Sequence, residues 1–315
     1  MKLLRCLLLL PLCAGILSAQ SGAGGSATRP KITGLAKVAF KTSDLGKARS
    51  FYQEYLGLNV VDAPQGAAAA HVRVNDRQIV ELVAAPNVPL DFPRLDHVAF
   101  AVEDVEMMRM YLKSRGIAVP EKLTKNVAGD LSFRVRDPNE NVIEFVPRQV
   151  VSVAASPAAI SSRLMHVGVA IGDLDAALHF YGDVLGFSEF WRGSGNPQSL
   201  SWVNVRVPDG NDYVEFMLYQ EWPASDRLRG SEHICLEVPD MVKSEAELKG
   251  RALAPNGRAL ANIRTGVNGK RQLNLYDPDG TRVELMEPNT IDGKPRPPST
   301  APARKGEPRP AAAKT

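Results

Sequence analysis

The chain has 315 residues, of which 44% are hydrophobic and 23% are charged. This composition is typical of a globular protein that is long enough for about two domains. The net charge of +3 at pH 7 is concentrated at the ends, because the first five residues carry +2 and residues 289–315 carry +4, which leaves about −3 for the rest of the chain. A mildly acidic body gives no electrostatic support for nucleic acid as a partner.

The first 19 residues have the parts of a secretory signal peptide. Lys2 and Arg5 flank the start of an apolar run, and Ala19 offers a small-residue cleavage site. The run is short for a membrane span, and Pro11 interrupts it. We therefore predict a signal peptide at 1–19, a flexible linker at 20–33, and a periplasmic or secreted protein with no stable membrane anchor. Cleavage would leave Cys235 as the only cysteine, which excludes an internal disulfide.

Four similar units follow in chain order, and each begins with a short strand pattern that ends in a polar turn. These beginnings read LAKVAFKTSDL (35–45), LDHVAFAVEDV (95–105), LMHVGVAIGDL (164–174) and SEHICLEVPDM (231–241). The aspartate in each turn can cap a following helix. Each unit closes with a strand that carries one glutamate, in IVELVA, VIEFVP, YVEFML and VELMEP. The repeat predicts four modules, each with a strand, a helix and about three further strands.

Composition predicts the boundaries between these units. A stretch rich in small residues, 149–162, reads as a linker, so that a first domain is predicted at 34–148 and a second at 163–288. Residues 289–315 are rich in Pro, Lys, Arg and Ala, and we predict a disordered basic tail there.

Strand alternation places one histidine and one glutamate from each of the last two units on a shared sheet face. These residues are His166, Glu215, His233 and Glu284. A single strand histidine is more often a packed or surface residue than a ligand, but the spacings of 49 and 51 residues within the two pairs match closely. Two imidazoles and two carboxylates suit one divalent ion, which could be Zn, Ni, Co, Mn or Fe.

The same alternation predicts the wall of a pocket for a small-molecule substrate. Its members are aromatic or hydrogen-bonding residues with one cation, namely Trp202, Asn204, Arg206, Tyr213, Tyr219, Asn274 and Tyr276. Such a wall would suit an oxygenated aromatic ligand or a small carboxylate. The alternative is that these residues lie on the exposed face of an open sheet.

These motifs resemble the vicinal oxygen chelate superfamily, which includes glyoxalase I, extradiol dioxygenases and bleomycin-binding proteins. The resemblance covers residues 34–288 and is carried by the helix ends FYQEYLG (51–57) and FYGDVLG (180–186) and by DPNENVIEFVP and DPDGTRVELMEP. It implies an α+β fold in which four βαβββ modules pair into two cup-shaped mixed β-sheet domains, with helices on the outer faces. It also implies metal ligation by His166, Glu215, His233 and Glu284.

The first domain departs from the ligand pattern of this superfamily. Its matching positions are Lys37, Glu81, His97 and Glu144. We expect the ammonium group of Lys37 to replace an ion there by pairing with both glutamates, which makes the first domain structural. The sequence leaves open whether the domains stack within one chain or whether the chain forms a homodimer.

The complete ligand set most resembles that of glyoxalase I, which implies a metal-dependent lyase or isomerase that transfers a proton next to a metal-bound carbonyl. Glu284 or Glu215 would act as the base, with Glu284 slightly preferred. An Fe(II) extradiol dioxygenase is the first alternative, although Glu215 would crowd its metal site and no further histidine is well placed as an acid. A non-catalytic antibiotic-binding protein is the second alternative, although the bleomycin binders lack the ligands.

Overall fold

The computed structural model describes residues 28–89, 92–150, 156–251 and 260–310, without the side chains of Gln65 and Ser225. The predicted signal peptide and most of the N-terminal linker lie outside the described residues. None of the helices in the described part of the chain has the length and apolar character needed to cross a membrane.

The first domain consists of two successive modules that share one sheet. Its elements are β1 (Ile32–Thr42), α1 (Leu45–Ser50, continuing as a π-helical segment over Phe51–Tyr55), β2 (Asn59–Asp62), a 3₁₀ turn (Pro64–Gly66), β3 (Ala69–Arg73), β4 (Ile79–Ala84), β5 (Leu95–Val102), α2 (Val105–Ser114), β6 (Thr124–Lys125), β7 (Leu131–Arg136) and β8 (Val142–Pro147). The eight strands have the order β2-β3-β4-β1-β5-β8-β7-β6.

The second domain repeats this plan and adds one short helix. Its elements are β9 (Leu164–Ile171), α3 (Leu174–Leu178, continuing as a π-helical segment over His179–Val184), β10 (Ser188–Gly193), β11 (Trp202–Arg206), β12 (Tyr213–Leu218), α4 (Ser225–Ser231), β13 (His233–Glu237), α5 (Met241–Gly250), β14 (Arg264–Thr265), β15 (Lys270–Tyr276) and β16 (Arg282–Thr290). The strand order is β10-β11-β12-β9-β13-β16-β15-β14. The predicted α+β fold of four modules in two curved sheets is therefore confirmed.

The turn aspartates account for where the module helices begin. The side chains of Asp44, Asp104, Asp173 and Asp240 each accept a hydrogen bond from the backbone N–H three residues later, over 2.8–3.1 Å. Such caps satisfy one of the free N–H groups of the first turn, and each is worth about 1 kcal/mol. The four repeated turns therefore define the same strand-to-helix junction in every module.

Strand pairing brings the start and the end of each module together. In all four modules the first strand pairs in parallel with the last, as β9 does with β12 and β13 with β16. The first strands of the two modules in a domain then pair antiparallel, as β9 does with β13. The four strands that carry the candidate ligands are therefore neighbours at the centre of the second sheet.

The two domains pack against each other within one chain. The Phe100 and Phe187 rings lie 5.2 Å apart at their centroids, and the Tyr111 hydroxyl donates to the Val184 carbonyl over 2.7 Å. Reciprocal turns complete this interface. Asn139 Oδ1 accepts from the backbone N–H groups of Gly172 and Asp173, both at 2.9 Å, and Asp279 Oδ2 accepts from the Thr42 hydroxyl and the Ser43 N–H, at 2.7 and 2.9 Å. Each turn therefore accepts hydrogen bonds from groups at the end of a first strand in the other domain, β9 in one case and β1 in the other.

The C-terminal segment is ordered against the second domain, which corrects the prediction of a disordered tail over 289–315. The strand β16 extends to Thr290, and residues 291–310 then follow the domain surface. Five backbone hydrogen bonds join this segment to other described residues: Ile291 N to Gly269 O, Ser299 N to Arg192 O, Leu200 N to Pro302 O, Gly306 N to Gly172 O and Glu307 N to Gln220 O, over 2.6–2.9 Å. Composition missed this packing because backbone hydrogen bonds require no particular side chains. Residues 311–315 lie outside the described residues.

Part of the predicted linker over 149–162 is also packed. The Ile160 side chain is buried, and its backbone N–H donates to the Leu56 carbonyl over 3.0 Å. Residues 151–155 are not among those described.

Arg309 fixes the end of the C-terminal segment through three contacts. Its guanidinium lies 2.6 Å from Glu232 Oε1, 3.1 Å from Asn141 Oδ1, and 4.9 Å from the centroid of the Trp222 ring. The Glu232 side chain is 1% exposed, so that Arg309 supplies the charge that a buried carboxylate requires.

We predict that Arg309→Met lowers the free energy of unfolding by about 3 kcal/mol, because it leaves the Glu232 carboxylate buried without its cation. Urea denaturation would measure this loss. The double variant Glu232→Gln/Arg309→Met should recover most of it, since the uncompensated charge is gone. An equal loss in both variants would contradict this account of the interaction.

Candidate metal centre

The structure brings the four predicted ligands together at the centre of the second sheet. The ligand atoms of His166, Glu215, His233 and Glu284 all lie within 4.8 Å of one another, and all four residues are buried. The two Nε2 atoms are 3.2 Å apart. Glu284 Oε2 lies 3.5 and 3.4 Å from the Nε2 atoms of His166 and His233, and Glu215 Oε2 lies 3.8 and 3.6 Å from them.

These distances fit a single ion. Zinc and similar ions bind nitrogen and oxygen donors at about 2.0–2.2 Å, so that two donors of one ion are about 3–4 Å apart. Four buried donors of the preferred chemical types therefore converge at the correct spacing. When bound there, a divalent ion would supply a Lewis acid that stabilises negative charge on a substrate oxygen.

Gly168 makes the approach of His233 possible. Its position on β9 is opposite His233 on β13 and beside Glu215 on β12. A Cβ atom at Gly168 would lie 2.1 Å from His233 Nδ1 and 2.7 Å from the Ser231 carbonyl oxygen, which is far inside van der Waals contact. Any larger residue at this central position would push the imidazole away from the other ligands.

The short helix α4 orients His233. Its last residue, Ser231, accepts a hydrogen bond from His233 Nδ1 over 2.8 Å. With the proton on Nδ1, the lone pair of Nε2 faces the cluster, which is the arrangement usual for histidine ligands. The His166 ring instead packs against the Tyr213 ring, with 4.5 Å between the centroids.

Arg282 is a further charged residue of the site to which the sequence analysis gives no role. It lies on β16 two residues before Glu284 and therefore on the same sheet face. Its Nη2 atom is 2.7 Å from both ring nitrogens of His233, so that the guanidinium covers that imidazole. The i, i+2 relation to a ligand was the available sequence signal.

Burial and neighbouring charges set the protonation of the four ligands. Burial raises the pKa of Glu215; His166 opposes this shift and the charge of Glu284 adds to it. Burial alone would also raise the pKa of Glu284, but the charge of Arg282 and the contacts with the His166 and His233 imidazoles hold it well below its ordinary value. Burial, followed by the charge of Arg282, lowers the pKa of His233 to about 3. A neutral imidazole and an ionised carboxylate are the forms that bind metal ions.

The predicted pocket residues divide into an inner and an outer group. Asn204 is buried on β11 opposite Glu215, and Asn274 lies on β15 opposite Glu284. Tyr213 is buried against His166. Each of these three residues is therefore a neighbour of one candidate ligand.

The other four predicted pocket residues lie farther from the ligands along the strands. Trp202 is half-buried opposite Met217, and Arg206 is exposed opposite Tyr213. Tyr276 is half-buried opposite Arg282. Tyr219 follows the end of β12 and packs its ring against Trp222, with centroids 5.2 Å apart. Tyr219 therefore lies at the end of the sheet beside the C-terminal segment, because the alternation of β12 stops at Leu218.

In the first domain a lysine takes the position of a ligand. Lys37 Nζ lies 2.9 Å from Glu144 Oε2 and 3.4 Å from Glu81 Oε2, and all three side chains are buried. His71 Nε2 lies 3.1 Å from Glu81 Oε2, and His97 Nε2 lies 3.0 Å from Glu144 Oε2. The predicted pairing of Lys37 with both glutamates is confirmed.

Comparison with known proteins agrees with this architecture. The sequence profile of the Glyoxalase/Bleomycin resistance protein/Dioxygenase superfamily matches residues 34–145 and 163–285. A curated relative, mitochondrial methylmalonyl-CoA epimerase of Mus musculus, is 32% identical over 145 residues, which are 42% of this chain and 77% of the epimerase.

Two solved structures share the fold over most of the chain. Homoprotocatechuate 2,3-dioxygenase of Brevibacterium fuscum has a TM-score of 0.65 at 19% identity, over 87% of this chain and 86% of its own. The Mn(II)-bound glyoxalase of Novosphingobium aromaticivorans has a TM-score of 0.63 at 17% identity, over 89% of each chain. At these identities the likeness shows the fold alone.

We predict that the purified protein binds one divalent ion per chain and that His166→Ala and Glu284→Ala lose it, because each removes one of four convergent donors. Metal analysis after dialysis would measure the content. His179→Ala is the matched control, since this histidine is 71% exposed and pairs with Asp183 on a helix surface. Unchanged metal content in His166→Ala would place the ion elsewhere.

The same measurement on Lys37→His should give a second ion per chain, since the variant completes a His-Glu-His-Glu set with Glu81, His97 and Glu144. Lys37→Met removes the charge without adding a ligand. It should still bind one ion and lose about 3–5 kcal/mol of unfolding free energy, because two buried carboxylates lose their cation. Two ions per chain in the unaltered protein would contradict the assignment of Lys37.

Proposed function

Because the chain belongs to the Glyoxalase/Bleomycin resistance protein/Dioxygenase superfamily, we propose that it is a metal-dependent lyase or isomerase of the glyoxalase type. The second domain would bind one divalent ion and a small oxygenated substrate. The reaction would be proton transfer at a carbon next to a carbonyl held by the ion. The observation that carries this proposal is the complete, buried set of two imidazoles and two carboxylates in one domain.

Glu215 is the better candidate for the base. Glu284 is slightly preferred from the sequence alone, but it lies closer to both imidazoles than Glu215 does, and Arg282 favours its ionised form. Glu215 is farther from both imidazoles, and burial raises its pKa. A carboxylate whose pKa is raised toward neutrality accepts a proton from carbon more readily. In this proposal Glu215 takes the proton and returns it, while His166, His233 and Glu284 keep their positions.

An Fe(II) ring-cleaving dioxygenase remains the second candidate. The observation in its favour is that one chain holds four modules and has the candidate ligands only in the second domain. The Brevibacterium fuscum dioxygenase shares this fold over 87% of the chain. Against it, the remaining histidines are not placed as acids beside the ligands. His71 and His97 pair with glutamates of the first domain, and His179 is exposed on a helix.

A non-catalytic antibiotic-binding protein is the third candidate. It has less support, because a binding module requires no four-ligand cluster.

We also propose that the protein is exported and that cleavage after Ala19 produces its mature form. The support is the charge and apolar pattern of residues 1–19. Mass spectrometry of the protein purified from its native host would find a mature chain that begins at Gln20. A chain that retains Lys2 and Arg5 would contradict export by this route.

We predict that the metal-loaded protein converts 2-oxoaldehydes, with or without an added thiol, and leaves catechols intact. Glu215→Gln should lower kcat by about 10²–10⁴-fold through loss of the base while metal content changes little, since the amide oxygen can still contact an ion. Exchange of the substrate C–H proton with deuterium, followed by NMR, would measure the step directly. His179→Ala should retain full activity.

Oxygen uptake with catechols by the Fe(II)-loaded protein would instead establish the dioxygenase. Tight binding of an antibiotic by metal-free protein, without turnover of either substrate class, would establish the binding protein.

A further inference from the structure

Two asparagines occupy equivalent positions on either side of the candidate metal centre. Asn204 on β11 is the direct cross-strand partner of Glu215, and Asn274 on β15 is the direct partner of Glu284. Directly opposed residues of antiparallel strands have Cβ atoms about 4.5–5.5 Å apart and share a sheet face. Each carboxamide is therefore one strand away from a carboxylate ligand.

The side-chain carbonyl oxygen of each asparagine is buried and lacks a hydrogen-bond donor among the described residues. The Oδ1 atoms of Asn204 and Asn274 receive no hydrogen bond from any group in the described ranges. Asn204 is only 3% exposed. An unsatisfied buried carbonyl costs about 1–3 kcal/mol, so that such groups are kept where a ligand can satisfy them.

The first domain shows a different use of the same two positions. There the partners of the glutamates are His71, opposite Glu81, and Arg134, opposite Glu144. His71 lies 3.1 Å from its glutamate and Arg134 lies 4.0 Å from its own. In the domain with a lysine, an imidazole and a guanidinium at these positions contact the carboxylates. In the second domain they are neutral amides, which leaves the carboxylate charge for an ion.

We propose that Asn204 and Asn274 select substrates that carry a hydrogen-bond donor next to the oxygens that contact the ion. The class would be α-hydroxycarbonyl compounds and 2-oxo amides, whose O–H or N–H groups donate to one or both Oδ1 atoms. A ligand with a methyl group in the same place would leave these acceptors unsatisfied. The inference rests on the proposed function, because it requires an ion with positions open to a small chelating ligand.

Oxamate and pyruvate are matched probes for this inference. Both offer a carboxylate oxygen and an adjacent carbonyl oxygen to an ion, and they differ by an NH₂ group in place of a methyl group of similar size. Co²⁺-loaded protein would be titrated with each, and the change in the visible absorption of cobalt would give both dissociation constants. The unaltered protein should bind oxamate about three- to tenfold more tightly than pyruvate, the gain from one hydrogen bond.

The variant Asn204→Leu/Asn274→Leu should bind both probes equally, since leucine has a similar size and no acceptor. The single variants would show which side receives the donor. Gln272→Leu is the matched control, because Gln272 lies on β15 two residues before Asn274 and its partner is Met286 rather than a ligand. This control should keep the preference for oxamate, and all four variants should keep one Co²⁺ per chain.

Equal affinities for the two probes in the unaltered protein would overturn the inference and leave the proposed function standing. The same conclusion would follow if the double variant kept its preference for oxamate, or if it lost the ion and so placed the asparagines in a structural role. Failure of the proposed function has a different signature, namely that neither probe changes the cobalt spectrum. That result would show an ion with no open position, and it would overturn both proposals.

Discussion

The structure of the site depends on the parallel pairing of the first and last strands of each module. This pairing brings the ends of a unit of about 50 residues into contact, so that a histidine near its start and a glutamate near its end share one sheet face. The antiparallel pairing of β9 with β13 then joins two such pairs at the centre of the sheet. Four candidate ligands converge from four strands, and none of them lies on a loop. A site built on central strands is held more rigidly than one built on loops, because every ligand has backbone partners on both sides.

Two carboxylates buried side by side require a nearby positive charge, and the two domains provide it differently. Removing one partner of a buried ion pair costs about 3–5 kcal/mol, so that each pair of glutamates requires a cation. In the first domain the chain supplies the ammonium group of Lys37 between Glu81 and Glu144. In the second domain His166 occupies the matching position and is neutral when it ligates. The same fold therefore places an internal cation between two glutamates in the first domain, and in the second domain it forms a candidate metal centre with a histidine at the position of Lys37.

The sequence was sufficient to predict the repeat, the helix starts and the convergence of the four candidate ligands, because these depend on local caps and on strand alternation. Asp44 and its three counterparts cap helices as predicted, and Asn204, Asn274 and Tyr213 lie around the ligands. It was not sufficient where position depends on the length of a strand or on contacts between distant segments. Tyr219 lies beyond the end of β12, and the contact of Arg282 with His233 on the neighbouring strand depends on the conformation of the arginine side chain. Strand alternation places Arg282 on the same face as Glu284, but it reveals neither where β12 ends nor which conformation a long side chain adopts.

The C-terminal segment is the largest departure from the prediction, and its position has a physical reason. The edges of the second sheet are β10 and β14. Between Ile291, which bonds to the turn joining β14 and β15, and Ser299, which bonds to β10, the segment passes from one edge of the curved sheet to the other. Three prolines lie within this crossing, at 295, 297 and 298. Proline has no N–H group to satisfy and holds the chain extended, so that a short segment can cross between the edges at low entropic cost. A composition that resembles disorder in isolation therefore suits a segment that contacts both edges of the second sheet.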